Sequence, residues 1–102
     1  MADLQQLLQL SQQMQGRLQQ LQADLADRMV EASAGGGMVR VRSDGRGLVR
    51  EVTIDPAVFE GRDAEFLSDL ILSAVAEVQR RAAELARSEM KSLPGLPSLP
   101  GL

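Results

Sequence analysis

The sequence predicts an α+β fold in the order helix, three strands, helix, with a small antiparallel sheet between two long helices. Two long stretches carry apolar residues at helical spacing, and three short β-favouring segments lie between them, separated by glycine-containing turns. The 102 residues suit a single domain, which we expect to span residues 1–92 and to be followed by a flexible tail over residues 93–102.

The first helix is predicted from positions that recur at alternating steps of three and four residues. This spacing is typical of a helix that packs along another helix. Its other faces are mostly glutamine, a residue that favours helix formation. The recurring positions are Leu4, Leu7, Ser11, Met14, Leu18, Leu21 and Leu25.

Three strands are predicted around residues 29–33, 38–43 and 48–54. The dipeptide Asp44-Gly45 predicts a tight hairpin between the second and third strands, because both residues tolerate the backbone angles of a two-residue turn. The sheet is therefore expected to be antiparallel at least across this pair.

A two-residue turn also predicts the pairing between those strands. It places Val41 opposite Leu48 and Val39 opposite Arg50. Arg50 is out of place in that register, so we expect it at an edge of the sheet or in a subunit interface; a one-residue bulge would also move it. Toward the helices we expect Val39, Val41, Leu48, Val52 and Ile54, and away from them Arg40, Arg42 and Glu51.

The second long helix is predicted over about Ala64–Lys91, with Asp63 as its N-cap. Before it, Asp55-Pro56 ends the third strand and favours a short turn of helix that stops at Gly61. At 1.5 Å per residue the long helices would reach roughly 40 Å, whereas a compact domain of this length has a radius of gyration of about 13 Å. The helices should therefore project beyond the sheet.

The glycines at positions 35–37 could belong to a phosphate-binding loop or to a bend between strands. A phosphate loop places its glycines after a strand and before a helix, where free N–H groups point at the anion. Here they precede a strand, no Gly-Lys-Ser or Gly-Lys-Thr sequence follows them, and Arg40 interrupts the dinucleotide-binding pattern. We expect a bend or bulge, with a nucleotide site as the less favoured alternative.

Cysteine and histidine are both absent, which removes thiol nucleophiles, imidazole bases and the commonest metal ligands. The composition still permits a serine activated by Lys91, but nothing in the spacing of the serines or carboxylates indicates a catalytic site. We expect no enzyme, no cofactor, no metal and no small-molecule substrate. No apolar run approaches the ~20 residues that span a bilayer, so no membrane association is expected and the predicted location is the cytoplasm.

The net charge is −3, which taken alone argues against a basic nucleic-acid-binding domain. The charges are unevenly placed, however. Residues 38–50 hold four arginines against one aspartate, and residues 80–91 hold four cations against two glutamates. Two local surfaces could therefore attract anions.

Several segments carry a resemblance to a known family. They are GGGMVRV (residues 35–41), the Asp44-Gly45 turn, VTIDP (52–56) and DLILSAVAEVQRRAAEL (69–85). Together with the glutamine-rich first helix and the Leu-Pro-Gly tail, the chain resembles the YbaB/EbfC family of bacterial nucleoid-associated proteins over nearly its whole length.

The resemblance implies a homodimer that is joined through its sheet region, with the long helices projecting like the arms of tweezers. It also implies binding of double-stranded DNA with little sequence specificity. The expected role is nucleoid organisation, which could extend to gene regulation, and the expected location is the nucleoid.

Individual DNA contacts must be argued from charge position. Arg80, Arg87 and Lys91 are seven and four residues apart, which places them on one stripe opposite the core-facing side of the second helix. The alternative is a solvated stripe with intrahelical ion pairs, because Glu77 and Glu84 each precede an arginine by three residues. The candidate DNA-binding residues are Arg80, Arg87, Lys91, Arg81, Arg40, Arg42, Arg46 and Arg17.

One other class of function stays open. A helix, a small sheet and a return helix also suit a prefoldin-like chaperone or a protein-interaction module that grips a partner with its arms. Apolar arm tips would favour a client protein, and cationic tips would favour phosphate. The tail is expected to be a linker, with a docking role for its leucines as the alternative.

Overall fold

The computed structural model describes residues 2–61 and 63–92 and contains the predicted order of helices and strands. The prediction of an α+β fold is confirmed, and the predicted tail over residues 93–102 lies outside the described residues. The elements are α1 (Ala2–Ala26), β1 (Met29–Ala34), β2 (Val39–Asp44), β3 (Val49–Ile54), a short 3-10 helix (Pro56–Phe59) and α2 (Ala64–Lys91).

Helix α2 begins where its capping residue predicts. Asp63 has an extended backbone, and its carboxylate accepts a hydrogen bond of 2.9 Å from the backbone N–H of Phe66. This satisfies one of the N–H groups that have no partner inside the helix. The 3-10 helix starts in the same way, because Asp55 Oδ1 accepts from the backbone N–H of Ala57 at 2.9 Å.

The core lies between α2 and the first two strands. Because side chains alternate along a strand, every second residue of β1 and β2 points toward α2. Burial of these apolar side chains against α2 is the main stabilising contribution to the fold. The core consists of Ala32, Val39, Val41, Ala74 and Val78, all of which are buried.

The strands form an antiparallel sheet in the order β1-β2-β3, with a register that differs from the predicted one. Val41 pairs with Val52, and Val39 pairs with Ile54. The predicted pairings with Leu48 and Arg50 are therefore wrong. Leu48 is 52% exposed and does not belong to the buried side of the sheet.

Two features of the hairpin explain the difference. The turn is longer than two residues, because the backbone N–H of Asp44 donates to the carbonyl of Leu48 at 3.0 Å. A bulge then follows, since Arg42 pairs with Glu51 whereas Ser43 pairs with Val49, which leaves Arg50 as the extra residue. The predicted outward direction of Arg40, Arg42 and Glu51 agrees with this register, and all three are exposed.

The glycine run forms the bend between β1 and β2 that the sequence predicts. Gly35, Gly36 and Gly37 have φ angles of 64°, 66° and 95°, a region that other residues rarely adopt. A Cβ atom placed on Gly35 would also lie 3.0 Å from Cδ2 of Leu70 on α2. The run therefore serves both the turn and the packing of α2 beside it.

Helix α1 is attached to the rest of the molecule at its C-terminal end. Leu21 and Leu25 are buried, and the carbonyl of Leu25 accepts a hydrogen bond of 2.8 Å from the backbone N–H of Gly45 in the hairpin turn. The molecule measures 74 × 26 × 18 Å and has a radius of gyration of 19.5 Å. The prediction of projecting helices is confirmed.

Among the described residues, no helix combines the length and the apolar character needed to cross a membrane.

Candidate nucleic-acid interface

The predicted DNA-binding residues lie on three surfaces of the protein. The fold does not gather them into one patch, because they belong to the first helix, the sheet with its hairpin, and the second helix. Arg17 lies on α1, Arg40 and Arg42 lie on β2, Arg46 lies in the hairpin turn, and Arg80, Arg81, Arg87 and Lys91 lie on α2.

On α2, Arg80 and Arg81 belong to a network of intrahelical ion pairs. Arg80 contacts Glu77 at 2.7 Å and Glu84 at 2.6 Å, and Arg81 contacts Glu77 at 3.0 Å. We call these four residues the α2 charge cluster. Its two arginines and two glutamates balance, so the cluster carries no net charge.

The α2 charge cluster also shifts the proton affinities of its members. The hydrogen bonds from the side chain of Arg80, and then those from Arg81, lower the pKa of Glu77 to about 2. The same carboxylate raises the pKa of Arg80. Arg81 reaches further, since its Nη1 donates to the backbone carbonyl of Glu31 on β1 at 2.7 Å. The cluster thus ties α2 to the edge of the sheet.

The last turns of α2 present two cations without a partner. Glu84 is engaged by Arg80, and Glu89 is engaged by Arg28, whose Nη1 lies 3.1 Å from its Oε1. Within residues 2–61 and 63–92, Arg87 and Lys91 consequently make no ion pair or side-chain hydrogen bond, and both are exposed. These two side chains are available to an external anion.

Arg46 is held inside the hairpin by a buried carboxylate. Asp44 is 1% exposed at its side chain and contacts Arg46 at 2.8 Å and Arg50 at 3.2 Å. It also accepts backbone N–H bonds from Arg46 at 2.8 Å and Leu48 at 3.3 Å. The side-chain hydrogen bond from Arg46 holds the pKa of Asp44 well below its usual range, although burial opposes the shift.

Arg40 and Arg42 project from the side of the sheet opposite α2, which we call the outer face. It is exposed, and it is polar except at Met29, at the start of β1. Nη1 of Arg42 lies 3.9 Å from Oε1 of Glu51, whereas Arg40 makes no ion pair with any residue in the described part of the chain. The polar residues of the outer face are Glu31, Ser33, Arg40, Arg42, Glu51 and Thr53.

Comparison with known proteins places the chain in a family. A family model described as the YbaB/EbfC DNA-binding family matches residues 1–96. The chain belongs to this family. The resemblance inferred from the sequence is therefore confirmed.

Relatives in this family have similar lengths. A "Nucleoid-associated protein" of Ruminiclostridium cellulolyticum is 43% identical over 97 residues, which cover 94% of this chain and 84% of the relative. A relative from Nocardia farcinica with the same description is 43% identical over 100 residues, which cover 98% of this chain and 91% of the relative. A relative from Chloroflexus aurantiacus is 42% identical over 90 residues, which cover 88% of this chain and 90% of the relative.

The fold also occurs in a solved structure. The crystal structure of an uncharacterized protein from Helicobacter pylori superposes with a TM-score of 0.69 at 25% sequence identity. The match covers 81% of this chain and 96% of that one. The described helices and strands are therefore an arrangement that crystallography has observed.

A shallow cleft of about 280 Å³ lies where α1, the hairpin turn and α2 meet. Its walls include Leu25, Gly45, Ala82 and Ala86, and Arg46 is the charged residue among those that line it. The cleft is thus mainly a seam between small side chains at the base of α1.

Sequence reasoning missed two residues that decide which cations are available. Asp44 was interpreted only as a turn residue, although its carboxylate engages both Arg46 and Arg50. Glu89 was not paired with Arg28, which lies 61 positions earlier in the chain. The poor fit of Arg50 in the predicted register was the one sequence signal for the role of Asp44. The pairing of Glu89 with Arg28 had no signal in the sequence.

Proposed function

We propose that this member of the YbaB/EbfC DNA-binding family binds double-stranded DNA through the phosphate backbone, with little sequence preference, and acts at the nucleoid. The observation that carries the proposal is the family match over residues 1–96. Relatives described as nucleoid-associated proteins at 42–43% identity support it. A phosphate contact carries no sequence information by itself, which accounts for the low specificity.

The last turns of α2 supply the main contact in this proposal. Arg87 and Lys91 are four residues apart, so both side chains lie on the same side of the helix. Both are exposed and unpaired within residues 63–92. Two adjacent cations at the end of a projecting helix can approach a duplex without first breaking a contact inside the protein.

Several of the other predicted contacts already engage a carboxylate of the protein. Arg80, Arg81 and Arg46 each engage a carboxylate at 3.0 Å or less. A phosphate must replace that carboxylate or share the guanidinium, and such competition reduces the net gain. We keep Arg81, Arg46 and Arg17 as predicted DNA contacts, secondary to Arg87 and Lys91. We expect no measurable contribution from Arg80 or Arg42, because glutamates already lie beside both guanidinium groups.

We also propose that the protein is a homodimer with a tweezer-like shape. The apolar face of α1 is buried at Leu21 and Leu25, but it continues into solvent, where Leu7 is 61% exposed and Leu10 is 56% exposed. A contiguous apolar surface of this kind marks an interaction site. A second copy of the chain would supply a matching helix.

The sheet offers a second surface for the same dimer. Helix α2 packs against β1 and β2 and leaves β3 at an open edge of the sheet. Val52 points to the same side as the core, yet it is 44% exposed, and Phe59 beyond the strand is 64% exposed. Pairing of two β3 regions would cover these side chains, in keeping with a dimer joined through the sheet.

The chaperone alternative is not favoured. Its distinguishing feature would be apolar arm tips, and Leu4 of α1 is indeed 69% exposed. The family description names DNA as the ligand, however, and the end of α2 carries unpaired cations instead. A dimer interface accounts for the exposed leucines without a client protein.

The experiment is a salt titration of duplex binding followed by fluorescence anisotropy, using two unrelated duplex sequences. The test variant is Arg87→Gln/Lys91→Gln. Each lost phosphate contact should lower the slope of log K against log salt by about 0.9. The control is Arg80→Gln/Glu84→Gln, which changes the same stripe of α2 without changing the net charge.

We expect the parent protein to bind both duplexes at low salt, the test variant to lose affinity for both, and the control to retain it. Light scattering should return twice the 11.0 kDa chain mass for the parent and both variants. A test variant that binds like the parent would remove Arg87 and Lys91 from the interface. A parent protein that binds neither duplex would overturn the proposed function and restore the chaperone alternative.

A further inference from the structure

The outer face of the sheet is built from two rows of side chains that run across the three strands. The pairing of β1 with β2 and of β2 with β3 aligns Glu31, Arg42 and Glu51 in one row. The neighbouring row consists of Ser33, Arg40 and Thr53. All six side chains are exposed, so both rows face solvent.

In the first row, the arginine lies between two acidic side chains. Arg42 has Glu31 on one side and Glu51 on the other, and its Nη1 lies 3.9 Å from Oε1 of Glu51. Two carboxylates and one guanidinium give the row a net charge of −1. A phosphate approaching Arg42 would meet like charges at the distance of neighbouring strands, about 5 Å.

In the second row, the arginine lies between two side chains that carry hydroxyl groups. Arg40 has Ser33 on one side and Thr53 on the other, and it has no ion-pair partner within the described residues. The row has a net charge of +1. Thr53 donates a long hydrogen bond of 3.4 Å to Glu51, and its hydroxyl can rotate toward a better acceptor.

The approach to Arg40 is open because the glycine turn lies beside it. A Cβ atom placed on Gly37 would be 3.7 Å from Nη2 of Arg40, so the guanidinium lies along this turn. A Cβ atom on Gly36 would have no neighbour within 4 Å. Glycines at such a place allow the backbone of a ligand to come close to the protein.

We infer that Ser33, Arg40 and Thr53 form a phosphate-contact site for a phosphodiester group of duplex DNA. The guanidinium supplies several N–H donors in a plane that suits phosphate, and serine and threonine hydroxyls are common donors to the DNA backbone. The central strand of the sheet fixes the backbone position of this arginine between the two hydroxyl-bearing residues. The inference rests on the proposed function and adds a second contact surface to the end of α2.

The two rows provide a matched test, since Arg40→Gln and Arg42→Gln remove the same charge from the same strand and the same face. With a short labelled duplex, we expect Arg40→Gln to weaken binding about tenfold, the effect of losing a hydrogen bond to a charged group. The slope of log K against log salt should fall by about 0.9 for each Arg40 in the complex. Arg42→Gln should change affinity by less than about twofold, a typical effect of an exposed ion pair.

Two further variants separate contact from folding. Arg40→Lys should recover most of the salt slope, because it restores the charge. Thr53→Val keeps the shape and the strand preference of the side chain and should weaken binding by a smaller factor than Arg40→Gln. Circular dichroism and light scattering should be unchanged for all four variants.

Equal losses for Arg40→Gln and Arg42→Gln would overturn this site and leave the proposed function intact. A change of oligomeric mass in Arg40→Gln would also overturn it, because the outer face would then be a protein interface. Binding of the duplex by none of the proteins, the parent included, would overturn the proposed function and this site together.

Discussion

Helices α1 and α2 both carry long apolar faces, but they differ in what covers those faces. In α2, Ala74 and Val78 are buried against the strands of the same chain, and Ala82 is buried beside the hairpin turn and the end of α1. In α1, the buried residues among positions 3–26 are Leu21 and Leu25, near its C-terminal end. Helical spacing of apolar residues therefore predicts that a face will be covered without predicting which partner covers it.

The two helices also differ in the number and pairing of their charged side chains. Residues 4–23 of α1 contain a single charged side chain, Arg17, and many glutamines. Helix α2 carries the charge cluster of Glu77, Arg80, Arg81 and Glu84, whose members bind one another. A helix with so few charges can lie against a second copy of itself with little desolvation of ions, whereas α2 suits an exposed position beside the sheet.

The largest effect should come from breaking the attachment of α1. A Cβ atom on Gly45 would lie 2.7 Å from the backbone carbonyl oxygen of Leu25, a distance that requires the hairpin and α1 to separate. We expect Gly45→Ala to lower the free energy of unfolding by about 3 kcal/mol, in the range of overpacked cores. Urea unfolding at fixed protein concentration measures this loss.

Gly16→Ala is the matched control for that substitution. Gly16 lies within α1, where an added Cβ atom would have no neighbour within 4 Å. Alanine favours a helix over glycine by about 1 kcal/mol, so this variant should be more stable than the parent. The idea that the hairpin anchors α1 fails if both substitutions change stability in the same direction.

A second comparison separates the face covered within the chain from the face left open. Val78 of α2 is 0% exposed, so Val78→Ala should lower the free energy of unfolding by about 2 kcal/mol. Leu7→Ala/Leu10→Ala on α1 removes side chains that are 61% and 56% exposed. Alanine preserves the helix, so the double variant should act mainly on dimer formation.

Light scattering over a dilution series distinguishes the two effects. The α1 double variant should dissociate at a higher protein concentration than the parent, whereas Val78→Ala should lose stability at every concentration. A parent protein with the mass of one chain would remove the dimer proposal. Equal dissociation of the two variants would show that the α1 face has no special part in association.

The fold could be predicted from local signals because most of its boundaries have a local cause. The capping carboxylate of Asp63 and the glycines at 35–37 specify an element end and a turn through interactions with near neighbours in the chain. The register of β3 could not be predicted, because it depends on the bulge at Arg50. That bulge accompanies the contacts of Arg50 and Arg46 with the buried carboxylate of Asp44.

The candidate site was less predictable than the fold for a related reason. The spacing of cations on α2 showed which residues share a side, but it did not show which glutamate each would engage. The alternative with intrahelical ion pairs placed Glu84 beside Arg87, whereas Glu84 binds Arg80 at 2.6 Å. Arg87 is therefore left unpaired within residues 63–92. The side-chain rotamers of Glu84 and Arg80 decide this pairing, and the spacing of residues in the sequence does not reveal rotamers.

The smallest effect concerns the acid sensitivity of α2. The folded protein lowers the pKa of Glu77 from 4.5 to about 2, chiefly through the side chain of Arg80 and then through that of Arg81. A lowered pKa stabilises the fold at pH values above 4.5, and this contribution is lost as the pH falls from 4.5 toward 2. Glu77→Gln should therefore reduce stability near neutral pH and flatten its decline across that acidic range.

The order of the two arginines provides a finer test of the same network. Arg80 donates two hydrogen bonds to Glu77, at 2.7 and 3.0 Å, whereas Arg81 donates one at 3.0 Å. Arg80→Gln should thus raise the pKa of Glu77 further toward its ordinary value than Arg81→Gln does, as measured by carboxyl carbon NMR. Because both arginines are about half exposed, neither variant should unfold the protein. A larger shift from Arg81→Gln would mean that Arg81, which is also hydrogen-bonded to β1, controls the charge of Glu77 more than Arg80 does.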